Sequence, residues 1–344
     1  MDIVQPQAVS SAEHVPKRGA SVSDALSFAV RCAVMAPSSH NSQPWQFKIL
    51  NDGLMLMLDR RRALPVVDPY DREMIISCGA ALFNIRVALA YAGKHARMDV
   101  LPDPMDEDLL VRINLDGDEL ITQDGALASL YPAISKRMTN RSAYFAESIS
   151  PDVVAKLDEA ARAEWAKWSA ATSTDDREAI ATLVAAADLL QFGDVRFRRE
   201  LASWLHPARD GDGLAAFSAE MKKTLDFATP LAALVVRTFD VGNGIAARDK
   251  ALAAGSPLLA CISTTTDDAA AWLAAGQALQ RVLLTATAHG LDASYLNQPI
   301  EVDKFRSALA QMMQTEKFPQ LLIRIGRGLP QAHSPRREFH EVIS

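Results

Sequence analysis

Ala36-Pro37-Ser38-Ser39-His40-Asn41-Ser42-Gln43-Pro44-Trp45 is the stretch on which the reading of this chain turns. It lies between a helix-like run and a strand-like run. Pro37 and Pro44 stiffen it and disfavour the α region in the residue before each of them. The Ser, Asn and Gln side chains and the nearby backbone N–H groups offer donors and acceptors in a fixed array. Such an array suits a planar, hydrogen-bonding ligand, with Trp45 anchoring its far end. A polar loop closing a helix C-terminus would read the same way on its own.

The surroundings bound the possibilities. At 344 residues the chain can hold two core-bearing units or one large one, and 49% hydrophobic with 23% charged residues marks a globular protein. A formal net charge of −6 argues against a nucleic-acid partner held through phosphates. Cys32, Cys78 and Cys261 sit far apart in apolar runs, as small buried hydrophobes in a reducing compartment would. No apolar run approaches the roughly 20 residues needed to span a bilayer, and the polar leader (residues 1–20) has no signal-peptide core. The expectation is a cytoplasmic protein without a membrane partner. No HExxH, Cys/His cluster, Gly-x-Ser-x-Gly elbow or dinucleotide-binding glycine pattern occurs, so no metal site is expected.

Outward from the loop, Ser21–Met35 predicts a helix capped by Ser23. Gln46–Leu50 and Leu54–Leu58 predict a hairpin across Asn51-Asp52-Gly53. Arg60, Arg61 and Arg62 read as a solvated face. Glu73–Gly93 predicts a long helix, Arg97–Leu101 and Leu109–Leu115 predict strands closing the first lobe, and Asp116-Gly117-Asp118 a turn after them. A linker helix from about Gly125 leads to Arg137. Beyond it come a helix over Pro151–Trp168, a helical stretch over Asp175–Trp204, and a renewed helix over Leu214–Phe227. Strands follow at Leu231–Thr238, Leu258–Ser263 and Leu321–Ile325, then a polar tail. Residues 196–227 form an excursion without a counterpart in the first half. Trp204, Phe217 and Met221 on it can line a pocket or form a lid, or pack on the surface.

A repeat organises the whole. Cys78-Gly79…Gly93 and Ala275-Gly276…Gly290 carry glycines at the same spacing, with leucine and aliphatic positions matching between them. Glycine is costly inside a helix unless another backbone passes close by. Two such helices crossing each other would explain Gly79 and Gly276.

Two basic clusters complete the pattern. Arg137-Met-Thr139-Asn-Arg141 sets a hydroxyl between two arginines, the donors a phosphate monoester needs, although a surface charge pair would look alike. Ser334-Pro335-Arg336-Arg337 alone would be a solvated tail. Pro-Ser-Ser-x-Asn-x-Gln-Pro-Trp resembles the flavin-site loop of the nitroreductase superfamily. Arg-x-Thr-x-Arg, the basic tail pair, the crossing glycine helices and Gly290-Leu-Asp-Ala-Ser-Tyr-Leu-Asn-Gln298 resemble four more of its features. The resemblance covers most of residues 21 to 340 and points to the superfamily's tandem, Acg-type branch.

The resemblance implies an α+β nitroreductase-like fold holding one FMN, with NAD(P)H as transient electron donor. Pro37, Ser38, Ser39, Asn41 and Gln43 would stack against the ring. Arg137 and Thr139 would hold phosphate and ribityl, with Arg336 or Arg337 reaching the same phosphate. Arg141 would approach the N1/O2 edge, and Leu296 and Asn297 the N5 edge. Classical members are homodimers that share each site between subunits. Here the loop stands in the front half and the arginines in the back half, so the chain reads as a fused pseudo-dimer. Its lobes would be 21–128 and 129–344, with a monomer as the expected state. The implied activity is ping-pong electron transfer from NAD(P)H to a small electron-poor acceptor such as a nitroaromatic or quinone. An FMN-binding or flavin-sequestering protein with a closed lid and little turnover is the alternative, and no side chain is expected to act as acid or base.

Overall fold

Two antiparallel sheets and a crossed pair of long helices dominate the computed structural model, which describes residues 16, 21–115, 124–171, 173–206, 211–215, 236–238 and 241–344. Helix α1 (Val22–Ala33) starts at Ser21, whose hydroxyl accepts from the Asp24 N–H, so Ser21 rather than Ser23 is the cap. The chain then passes through the Ala36–Trp45 loop into β1 (Trp45–Ile49) and β2 (Gly53–Leu58). Helix α2 (Arg72–Tyr91), β3 (Ala96–Val100) and β4 (Leu109–Leu115) follow. The first sheet has the order β1-β2-β4-β3. Trp45, Phe47, Leu54 and Leu56 are fully buried between it and the helices. Each such side chain contributes about 1.5–3 kcal/mol on burial.

Short helices α3 (Gly125–Ala128) and α4 (Tyr131–Ile134) replace the single expected linker helix. Tyr131 stacks on Tyr91, with ring centroids 4.0 Å apart, which ties the linker to the end of α2. Helix α5 (Pro151–Arg162) is shorter than its sequence suggested. Trp165 turns left-handed at φ 62°, and the Ala166 N–H returns to the Ala161 carbonyl at 3.2 Å, closing the helix. Trp168 therefore lies in strand β5 (Lys167–Ala170). The long helical stretch divides into α6 (Thr174–Gly193) and α7 (Val195–Ser203). Asp194 ends the first with extended backbone and caps the second by accepting from the Arg196 N–H.

Helix does not resume at Leu214. Strand β6 (Leu205–His206) pairs in parallel with β7 (Leu214–Ala215). The rest of that excursion, with Phe217 and Met221, lies outside the described residues, as do the leader apart from Pro16 and the Asp116-Gly117-Asp118 turn. Of the expected strand over Leu231–Thr238 only 236–238 are described, and they are helical. Helix α8 (Gly242–Ala254), which the sequence reading did not foresee, precedes β8 (Leu258–Thr264), α9 (Ala269–Ala288) and β9 (Asp292–Tyr295). Then come α10 (Gln298–Glu301), the unforeseen α11 (Asp303–Met312) and β10 (Phe318–Gly326). The second sheet has the order β5-β8-β10-β9.

The two sheets are joined through α2 and α9, which cross at their glycines. A Cβ on Gly276 would lie 2.0 Å from the Ile76 carbonyl oxygen, and one on Gly79 2.3 Å from that of Leu273. Only hydrogen fits there. Buried Gln280 donates to Asn84 at 2.7 Å beside the crossing, satisfying two polar groups that water does not reach. Helix α2 corrects another expectation: by length and composition it could cross a membrane, but 83% of its apolar window is buried here as a core helix. All three cysteines are free and buried.

The tail is not solvated. After β10 it returns to the first sheet, where α12 (Phe339–Val342) packs Val342 into the core and the Ser344 N–H donates to the Phe47 carbonyl at 2.8 Å. That return carries Arg336 and Arg337 past the loop.

Candidate functional site

The loop is held in a shape that its residues would not adopt alone. Ser39–Asn41 form one short helical turn, and His40, Asn41 and Gln43 stand at φ 52°, 54° and 51°. Left-handed backbone without glycine costs on the order of 1 kcal/mol or more per residue and persists only where the surroundings over-determine it. The braces are visible. Asn41 Nδ2 donates to the carbonyls of Gly213 and Pro335, both at 3.1 Å, and its Oδ1 accepts from Arg336 at 3.2 Å. Gln43 Nε2 donates to the Gly211 carbonyl at 2.8 Å, while its Oε1 accepts from the Arg337 N–H at 2.9 Å. The Gln43 N–H donates to the Ser38 hydroxyl. Asn41, Gln43 and Ser38 thus spend their polar atoms on the chain itself. They tie the loop to the excursion root and to the tail.

Against this loop stands a cluster of cations from the other half of the chain. Arg137 is 3% exposed, and its Nη2 donates to the Met35 carbonyl at 3.2 Å. Its Nε and Nη1 are buried without a hydrogen-bond partner. Arg336 donates to the same carbonyl at 3.4 Å, and its Nε is likewise unpartnered. Burial and the neighbouring Arg137 pull Arg336 down to about 9. Arg141, exposed at its surface, lies close enough to His40 to join burial in holding that imidazole down at about 4, so His40 is neutral at pH 7. Among the described residues no carboxylate pairs with Arg137, Arg141 or Arg336. An anion between them would relieve this crowding of like charge.

Thr139 reaches the cluster by bridging to Ala293, which sets it beside Tyr295. Tyr295 faces Arg137, Arg141 and Arg336. The segment is fixed from beneath by buried Arg324, which donates to the carbonyls of Ser142 and Asn140 and stacks 4.2 Å over the Tyr144 ring.

Other candidates fall elsewhere. Arg337 turns away from Arg137: it donates to the Gln43, Trp45 and Glu341 carbonyls and lies 3.7 Å from Asp59. Leu296 is 2% exposed in the core, and its N–H is taken by the Leu322 carbonyl at 2.9 Å. The Asn297 side chain accepts from the Leu322 N–H at 3.0 Å. Pro37 is buried where the loop leaves α1. Arg62 is no solvated residue, for it donates to the Ser42 carbonyl and pairs with Asp212 at 2.6 Å. A cleft of about 700 Å³ is lined by Asp59, Arg62, Trp204 and Arg337, and not by Arg137 or Arg336.

Ser39 leads to residues that sequence reasoning passed over. Its hydroxyl donates to Glu73 in the first turn of α2. Glu73 is 4% exposed, and burial, with Glu301 next in effect, pushes it up to about 8. Asp68 beside it rises to about 7 for the same first reason. An acidic residue at a helix start looks like ordinary capping charge, so nothing local marked Glu73.

A model described as the nitroreductase family matches residues 134–327. Rv3131 of Mycobacterium tuberculosis, by name a candidate NAD(P)H nitroreductase, is 35% identical over 318 residues, covering 90% of this chain and 88% of its own. Acg of the same organism, named in the same way, is 30% identical over 332 residues, covering 93% and 95%. The crystal structure of the FMN-dependent nitroreductase NfnB from Mycobacterium smegmatis with NADPH aligns with TM-score 0.41 at 18% identity, covering 62% of this chain and 97% of that one.

Proposed function

This chain belongs to the nitroreductase family, and from that premise we propose that it is an FMN-dependent NAD(P)H oxidoreductase binding one FMN where its loop meets its arginines. The observation that carries the reading is the buried, carboxylate-free meeting of Arg137 and Arg336 at the Met35 carbonyl. Two unsatisfied nitrogens on Arg137 and one on Arg336 match the oxygens of a phosphate monoester, with Thr139 as a neutral donor beside them. Arg141, nearer the surface, suits the part of the ring that gains negative charge. Of the two tail arginines the geometry favours Arg336 for the phosphate and leaves Arg337 as an internal brace.

FMN supplies two-electron redox chemistry when bound, which is why no side chain need act as acid, base or nucleophile. The chain's own residues would bind and orient. NAD(P)H and a small electron-poor acceptor, of the nitroaromatic or quinone kind, would visit one place in turn. The lobes 21–128 and 129–344 would stand in for the two subunits of a dimer, one carrying the loop and the other the cations. Mixing purified protein, FMN and NADPH under argon tests this: the flavin absorbance should bleach and return when the acceptor is added. No bleaching with either nicotinamide would remove the enzymatic reading.

A second reading rests on Asn41 and Gln43, whose side chains are held by the Gly213 and Gly211 carbonyls. A loop so tied could hold FMN closed from substrate. Breaking those two ties with Asn41→Ala and Gln43→Ala together would then create turnover that the intact chain lacks.

A further inference from the structure

Three side chains behind the loop form a unit that binding of a phosphate does not explain. Ser39 donates to one oxygen of Glu73, and the other, Oε1, is buried with no N–H or O–H donor against it. Arg72 is the nearest cation to Oε1, at 3.6 Å. The Glu301 carboxyl, from α10 of the other half, stands close enough to Glu73 to push it up. Glu301 also accepts from Gln191 at 2.6 Å. Two buried carboxyl groups set this near each other favour the form in which one of them keeps its proton. The groups facing the pair are Arg72 and Asp68 from the front half and Asp188 with Gln191 from α6. Arg72 is the one cation among them, so the field favours retention of that proton.

Resting on the FMN reading above, we propose that Glu73 and Glu301 share one proton across the lobe interface and thereby position Ser39 as an obligate hydrogen-bond acceptor toward an N–H of the bound ring. The hydroxyl hydrogen is committed to Glu73, which leaves only lone pairs for the ligand. Loss of the shared proton sets two like charges against each other between the halves, displaces the Ser39 anchor and weakens binding. Glu73 and Glu301 are thus positioning residues, and ring affinity is linked to pH through them.

The test uses the full chain and two measurements. Urea unfolding without ligand, from about pH 6 to about pH 9, should show the wild type losing stability as pH rises and Glu301→Gln losing clearly less, because a neutral amide sets no second charge against Glu73. FMN titration over the same range should show wild-type affinity falling at least tenfold toward alkaline pH, with Glu301→Gln falling clearly less and Glu73→Asp restoring a pH dependence that Glu73→Gln lacks. Equal unfolding profiles in wild type and Glu301→Gln would overturn the shared proton. FMN bound with the same pH profile in all four proteins would overturn the coupling to Ser39. No FMN binding at any pH, with the unfolding difference intact, would overturn the FMN reading and the Ser39 assignment together.

Discussion

Arg137 is a residue that costs the fold stability and that the proposed FMN site needs. It is a buried cation with two unpartnered nitrogens, and Arg336 beside it adds repulsion. Replacing a buried, uncompensated charge with an apolar group of similar size is often neutral or stabilising by about 1–4 kcal/mol. Arg137→Met should therefore hold or raise the unfolding free energy of the ligand-free chain in urea. The same change, or Arg137→Ala, should weaken FMN binding by more than about 1.5 kcal/mol, the lower range for a charge-assisted hydrogen bond. A variant less stable and unchanged in affinity would make Arg137 a structural residue. Glu73 makes the opposite case. The unfolded chain sheds its proton near 4.5 and the folded chain near about 8. Its stabilising contribution is full below pH 4.5 and is lost as pH climbs toward 8. Measured by urea unfolding, Glu73→Gln should gain about 2–4 kcal/mol on wild type between those limits. Sequence showed the arginines because their spacing matches a recurring pattern. It hid Glu73, Glu301 and Tyr295, whose roles come from tertiary neighbours: Tyr295 faces the arginines while the adjacent Leu296 is swallowed by the core.

At the scale of elements, the legible parts were those in which backbone chemistry leaves a mark on the sequence. Two prolines and an unbroken run of small polar groups disclosed the loop, and mid-helix glycines disclosed the crossing of α2 and α9. Gly276→Ala should gain about 1 kcal/mol of helix propensity. It should lose more, because a Cβ would stand 2.0 Å from the Ile76 carbonyl oxygen and backbone cannot move aside cheaply. Overpacking of this kind typically costs about 1–3 kcal/mol, so urea unfolding should show a net loss; a net gain would mean that the helices do not meet at Gly276. What misled the reading was tertiary pairing. Trp168 continues an apparently helical run, yet its strand is recruited by β8. Leu214 looks helical until Leu205 pairs with it. Helix α8 opens on glycines and shows little apolar stripe, whereas in α11 Phe305, Ala308, Leu309 and Met312 stand at helical spacing and face one core cluster, a legible signal that was passed over.

For the whole molecule, the proposed site depends on two passages of the chain. The linker through α3 and α4 delivers Arg137 under the Met35 carbonyl, and the returning tail delivers Arg336 to the same atom. If one chain supplies both sides of the site, as proposed, light scattering should give a monomer near 37.4 kDa. The measurement that tests this most directly is a stoichiometric FMN titration of the full chain beside Arg137→Ala and Arg336→Ala. One FMN per chain in the wild type, with affinity at least tenfold weaker in each variant, is the predicted result. No binding, or binding that both substitutions leave untouched, would contradict it.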